Sequence, residues 1–452
     1  MRTRGRHLLI LILILAAVGA GLVALMSKRL RSRGVSPVLA AAAGEPAPPR
    51  RTLPPLPLRP LSPRLRALRE RAMDAASRVR GLDWQSEVGM TELSGWEYGT
   101  RTKEIADVLG TDDLKGLSNL AIAGGMLPEG TDLASLAVSF TAASAGATYS
   151  PLDKQVLLVS ERGGFRDTGL LTHEFVHALQ DQHFDLLKMM LARPFSFDRE
   201  EATFALVEGD AVSVERRAGR GDEWMRMSLD AVAQEEDERF ASYRKGIGAF
   251  FPPLLTETFI FRYRDGLRFV EAMRRAHPAV NIDDIFRRPP VSSEQVLHPE
   301  KYLAGEAPRE VETNVEGFAG EGWHLTATTP LGEVGVRGLL MAGVQADEAK
   351  RAASGWGGDR SSVFEREGHA PLFIWKSVWD TGRDAQEFFR AYNETLRQRA
   401  APGGSARASE SEREWREGSL VTRIRLEGDA VTVVRCAGAD AEDALRLANE
   451  NR

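Results

Sequence analysis

His173, Glu174 and His177 stand in the stretch THEFVHALQDQH as an H-E-x-x-H motif. On an α-helix, residues i and i+4 lie one above the other on the same face. Two imidazoles so placed can share one metal ion, with Glu174 beside them as general base to a metal-activated water. A chain with these His and Glu frequencies meets the motif by chance about once in 100 sequences. Leu170, Leu171, Phe175, Val176 and Leu179 give the segment a helical apolar pattern, which weighs against chance. The alternative is two histidines on a polar helix face with no metal.

Catalytic zinc normally takes three protein ligands and keeps one position for water. After His177 the next histidine is His183, and no H-x-x-G-x-x-H follows. The third ligand is therefore expected to be a carboxylate on a later helix. Glu208, in ALVEGDA, is the first candidate, because a carboxylate among apolar residues is costly unless it is paired or bound to metal. Glu201, two turns earlier on much the same face, comes second, since an acidic first helical turn already explains it. Asp181 is placed either to orient a ligand histidine or to sit on the surface. Asp210 faces another side from Glu208 and reads as a cap or an ion pair. A hydrolase of this type also needs a donor for the developing oxyanion. His298 in EQVLHPEKY is the first choice and Tyr302 the second; the alternative for His298 is a structural role before Pro299.

These residues need elements to carry them. The chain has 452 residues, 43% of them hydrophobic, enough for two folded units with sizeable cores. Its 59 basic and 64 acidic residues give a net charge of −5, which argues against a nucleic-acid partner. The single cysteine, Cys436, excludes an intramolecular disulfide and a Cys-rich zinc ribbon. Residues 8–26 form an apolar run between Arg2, Arg4, Arg6 and Lys28, Arg29, Arg31, Arg33. The run is just long enough to cross a bilayer core of roughly 30 Å. The basic residues after it favour an uncleaved signal-anchor over a cleaved signal peptide. Either way the large C-terminal part is expected outside, in the periplasm or extracellular space, and secreted if the segment is cleaved. Residues 36–63, rich in Pro, Ala and Arg, read as an extended spacer.

Helical spacing is evident over residues 64–80, 114–123, 132–143 and 198–217, with a charged, solvated helix over 233–244. Residues 250–261 are apolar and aromatic, core or cleft wall. Residues 155–160 form a short strand before the motif helix, with Asp167 or Thr168 as the helix cap. The strand's free edge is suited to hold an extended peptide; an ordinary place in a small sheet is the equal alternative. Further on come a strand in HLTATT and a helix over 332–343. GWGGDR lacks the G-K-[ST] ending of a phosphate loop and reads as a tight turn placing Trp356 and Asp359. Strands over 362–364 and 372–378, a helix over 384–399, a polar loop, a hairpin of 420–425 with 430–435 and a short terminal helix complete the chain.

H-E-F-V-H followed by V-E-G-D-A resembles the gluzincin group of zinc metallopeptidases, and the E-G-x-A setting of Glu208 looks like their aminopeptidase branch, with a longer gap after the motif helix. RGL at Arg80, TYSPLDKQVLLV, THEFVHALQDQHFD, ALVEGDA, SSEQVLHPEKY, GWGGDR and WDT at Trp379 are similar to a poorly characterised family of prokaryotic H-E-x-x-H proteins regarded as exported. The resemblance covers roughly residues 80–389. It implies a zincin-like fold, His173, His177 and Glu208 as ligands to Zn2+, Glu174 as the catalytic group, and no defined substrate. The expected fold is α+β and mainly helical. Residues 1–34 form the signal-anchor, 35–63 the linker, 64–310 the zincin-like domain with a short sheet, and 311–452 a C-terminal α+β unit. The expected function is hydrolysis of a peptide or protein substrate at the membrane. The competing expectation is a cell-envelope binding or assembly protein with a structural zinc site.

Overall fold

The computed structural model describes residues 53–56, 59–144, 146–159, 168–192, 194–277, 279–399 and 405–449. The apolar run of residues 8–26 lies outside them. Among the described residues no helix is long and apolar enough to cross a membrane. The fold is mixed α+β and mainly helical.

Helices of eight residues or more are labelled here. Helix α1 (Pro63–Arg80) starts at Ser62, whose hydroxyl accepts from the Leu65 amide, and buries Leu68, Ala72 and Ala76 on one stripe. A three-stranded sheet follows from β1 (Gly89–Leu93), β2 (Ala147–Ser150) and β3 (Gln155–Val159), in the order β1-β3-β2. Strand β3 runs parallel to β1 and antiparallel to β2. Helices α2 (Gly95–Leu109), α3 (Asp112–Ala123) and α4 (Leu133–Ser144) lie between β1 and β2 in sequence. The motif helix is α5 (Thr168–Phe184); it shares a core with α1 and the sheet through Leu171, Phe175, Ala178 and Leu179. Thr168 is its first residue, and Asp167 lies outside the described residues.

Helix α6 (Phe197–Arg220) runs beyond the expected end, with α7 (Leu229–Lys245), α8 (Pro253–Ile260) and α9 (Gly266–Ala276) after it. A π-helical turn, Phe261–Asp265, joins α8 to α9. Gly209 of α6 and Gly266 of α9 let two backbones touch. A Cβ on Gly209 would lie 2.2 Å from the Gly266 carbonyl carbon, and one on Gly266 would lie 2.1 Å from the Ala205 oxygen.

The C-terminal part is a seven-stranded sheet of β4 (His324–Thr329), β5 (Trp356–Glu365), β6 (Leu372–Trp379), β7 (Ser405–Ala408), β8 (Glu412–Glu417), β9 (Leu420–Glu427) and β10 (Ala430–Ala437), ordered β4-β5-β6-β10-β9-β8-β7. Helices α10 (Gly332–Leu340) and α11 (Ala346–Ala353) fall between β4 and β5, α12 (Gly382–Arg399) between β6 and β7, and α13 (Ala441–Asn449) last. In β10, Val431 and Val433 face the α12 core while Val434 and Cys436 face the α13 core, the two-residue period of a strand buried on both faces.

Several expectations change. GWGGDR is the start of β5, with a register irregularity between Trp356 and Gly358, and not a tight turn. The polar Ser- and Glu-rich stretch forms β7 and β8; the Arg and Glu residues of β8 form ion pairs along that strand and across to β9, and Trp415 is its large apolar residue that reaches the core. Strand β3 has no free edge, because β1 and β2 cover both sides; the side of β2 away from β3 carries no strand among the described residues. The end of the Pro-rich segment is docked. Arg101 donates to the Pro54 carbonyl at 2.8 Å, Arg59 pairs with Glu97, and Leu61 packs on the α1–α5 core. Packing also crosses the expected boundary at residue 310. Leu120 of α3 joins the core of the large sheet, and Val334 of α10 joins the helical core around α6 and α9.

Candidate metal centre

Helices α5 and α6 pack together and aim three side chains at one point. His173 Nε2 lies 3.2 Å from Glu208 Oε2, His177 Nε2 lies 3.1 Å from His173 Nε2, and His177 Nε2 lies 3.5 Å from Glu208 Oε2. Zinc held tetrahedrally at 2.0–2.1 Å needs ligand atoms about 3.3 Å apart. The three sides of this triangle bracket that spacing, so the donor set fits a zinc ion in both type and geometry. Burial pushes the Glu208 carboxyl up, but the two imidazoles outweigh it and hold it well below the usual carboxylate range. Burial pulls the His173 imidazole down, while the carboxylates of Glu208 and Glu215 push it up to about 10. The carboxylates thus demand positive charge at the triangle, which a proton or a divalent cation can meet.

Glu174 is buried beside the triangle and outside it. Its Oε2 accepts the Tyr149 backbone N–H of β2 at 2.7 Å, which fixes the carboxylate against the open sheet edge. Burial raises the Glu174 carboxyl above its ordinary value, against the lowering effect of both imidazoles and that amide.

The other ring nitrogens face polar side chains, though only that of His177 is hydrogen-bonded. His177 Nδ1 meets Gln180 Oε1 at 2.9 Å, and His173 Nδ1 faces Glu215 Oε2 at 3.5 Å. Neither Gln180 nor Glu215 was expected from sequence. Glu215 lies two helical turns after Glu208, hence on the same face, and Gln180 one turn after His177. Those spacings are the signals that could have found them. Asp181, by contrast, leaves the histidines alone: its carboxylate takes the Tyr149 hydroxyl at 2.7 Å and the Lys154 ammonium at 2.6 Å.

Glu201 is held by both arms of Arg262, at 2.6 and 2.7 Å, so Glu208 stands alone as the carboxylate of the triangle. Asp210 forms ion pairs with Arg80 at 2.6 Å and Arg274 at 3.1 Å. His298 is not brought to the triangle. Its Nε2 pairs with Glu333 of α10 at 3.0 Å, and it lines a separate cavity of about 460 Å³ with Arg264, Arg337 and Lys350. Tyr302 donates instead to the Arg288 carbonyl at 2.9 Å. The aromatic residue at the site is Tyr263. It lies in the π-helical turn, its ring stacked on His173 at 6.5 Å and its hydroxyl close to the Glu208 carboxylate. Burial and the charges of Glu208 and Glu174 push its phenol well above its ordinary value, so it remains a proton donor. No motif marks it, because a regular helix through residues 253–276 would turn residue 263 to a different face.

Comparison with known families matches residues 323–446 to one described as "Domain of unknown function (DUF8575)". That segment covers the seven-stranded sheet and its helices and contains none of the triangle. No curated protein and no solved structure matches the chain.

Proposed function

We propose that the chain is a zinc metallopeptidase, held at the membrane by its N-terminal apolar run with the folded part outside the cytoplasm. One observation carries the reading: three donor atoms spaced for tetrahedral zinc, with Glu174 next to them and free of them. A purely structural site has no use for a buried acid in that place, least of all one oriented by the backbone of an open sheet edge.

His173, His177 and Glu208 would hold the ion, which when bound lowers the pKa of water and polarises a carbonyl. A peptide lying along β2 would place its scissile carbonyl near Glu174 by backbone pairing. Glu174 then takes a proton from the attacking water as the oxygen bonds to the carbonyl carbon. The raised affinity of its carboxyl for protons suits it to pass that proton to the amine nitrogen as the C–N bond breaks. Tyr263 supplies the hydrogen bond to the oxyanion, the role expected of His298.

The test uses the full-length protein, wild type and Glu174→Gln. Bound metal is measured by elemental analysis, and chelator-sensitive cleavage by mass spectrometry of a peptide library. Both proteins should carry zinc and only the wild type should cut. Zinc in both with cleavage in neither would leave the structural-site reading in its place.

A further inference from the structure

Gln180 sits at the centre of a buried relay that links the first helix to the candidate metal site. It is 0% exposed, on α5, between His177 and α6. The amide nitrogen donates to the Val207 carbonyl at 3.0 Å and to Asp210 Oδ2 at 3.1 Å. Both partners are acceptors only, which fixes which end of the amide points where. Flipping it would set its oxygen against a carbonyl and a carboxylate. The oxygen must therefore face His177 Nδ1, 2.9 Å away, and it can only accept. His177 then carries a proton on Nδ1, so that when the ring is neutral its lone pair lies at Nε2, the atom that meets His173 and Glu208.

Asp210 keeps this arrangement from reversing. It is 0% exposed and bound by Arg80 Nε at 2.6 Å and Arg274 Nη2 at 3.1 Å, with Arg80 also paired to Asp283 at 2.7 Å. With both guanidiniums and the Gln180 amide as its donors, Asp210 is engaged as an acceptor and holds the amide nitrogen of Gln180 toward itself. The arginine at the end of α1 is thereby connected, through one carboxylate and one amide, to the tautomer of a histidine on α5.

We propose that Gln180 is the positioning residue that sets the Nδ1–H tautomer of His177 for metal ligation, and that Asp210 and Arg80 lock Gln180 in that role. The inference rests on the metal-site reading above. It assigns a function to the ARG-GLY-LEU turn at Arg80 and to the aspartate of ALVEGDA that ion pairing alone does not.

Two measurements on the full-length protein test it. The first is the tautomer of His177 before metal is added, at a pH high enough for the ring to be neutral, read by long-range 1H–15N correlation with 15N-histidine labelling. Wild type should show the proton on Nδ1, and Gln180→Met should show a mixture or the proton on Nε2. A wild-type proton on Nε2 overturns the proposal. The second is the zinc dissociation constant by chelator competition, expected to rise ten- to a hundred-fold in Gln180→Met. Because that variant also strips partners from buried groups, its metal-free melting temperature is compared, so that weakened zinc binding in a folded variant is told apart from unfolding. Equal zinc affinity in wild type and Gln180→Met overturns the relay while leaving the metal site standing. No zinc in wild type at all removes the metal-site reading itself, a different failure.

Discussion

At the scale of single residues, the proposed function separates the side chains that would hold the metal from those that would act on substrate. Tyr263 is the sharpest case. Tyr263→Phe keeps the ring on His173 and removes only the hydroxyl, so zinc content should be unchanged while kcat falls by about 10²–10³. His298→Ala should leave kcat within a few-fold of wild type, because that ring is occupied with Glu333 beside another cavity. Steady-state kinetics on the two variants decide between them; the reverse pattern would return the oxyanion role to His298. The three side chains of the triangle were legible in the sequence because their information is local: i and i+4 on one helix, and a carboxylate in an apolar setting. Tyr263 was not. Its place depends on how two helices cross and on one turn whose geometry no short motif encodes.

At the scale of elements, the crossing of α6 and α9 does the positioning. With Gly209 against the Gly266 carbonyl and Gly266 against the Ala205 oxygen, the two backbones meet without side chains between them. Glu208 precedes one glycine and the π-helical turn with Tyr263 precedes the other, so the ligand and the phenol are set by a single contact. Gly209→Ala and Gly266→Ala must push backbone against backbone. Each should cost about 3 kcal/mol or more of stability, measured by thermal melting, and weaken zinc binding as well. A loss under about 1 kcal/mol would mean that the crossing can open and that the glycines matter little. Most element boundaries were readable from periodicity. The free edge lies on β2 and not, as expected from sequence, on β3, for a definite reason: a run of Gln-Val-Leu-Leu-Val tells that a strand is buried, but not which neighbours bury it. Likewise β8 reads like loop, since a strand whose charges pair with those of its neighbour has almost no apolar signal.

At the scale of the whole molecule, the helical part and the large sheet meet at α10. Its N-terminus is gripped by two buried carboxylates. Asp359 accepts the Leu331 and Gly332 amides and the indole N–H groups of Trp356 and Trp375, at 2.8–3.1 Å. Asp198, at the start of α6, accepts the Ser293 amide at 2.9 Å and fills the space beside Gly332, where a Cβ would lie 1.8 Å from its oxygen. Gly332 also has φ +70°, so no other residue fits. Burial, aided by the charges of Asp359 and Glu294 and opposed by Ser293, raises the Asp198 carboxyl to about 7. Between its ordinary value, about 4, and that value the folded chain keeps a proton that the unfolded chain has lost, so this group makes stability fall as pH rises through that window. Asp198→Asn should flatten the fall, and at pH 8 the variant should melt at a higher temperature than wild type. A pH profile of melting identical in both proteins would place the carboxylate's proton elsewhere.

Cys436, on the α13 face of β10, has 0% exposure, and burial together with the nearby Asp440 carboxylate pushes its thiol up to about 12. At neutral pH almost none of it is thiolate, the form that reacts with alkylating agents and oxidants. The folded protein is therefore chemically silent toward maleimides and indifferent to whether its surroundings are oxidising. A cysteine introduced at an exposed position such as Trp96, which is 78% exposed, becomes the one reactive sulfur, and a fluorophore or spin label can be attached there without first removing the natural thiol.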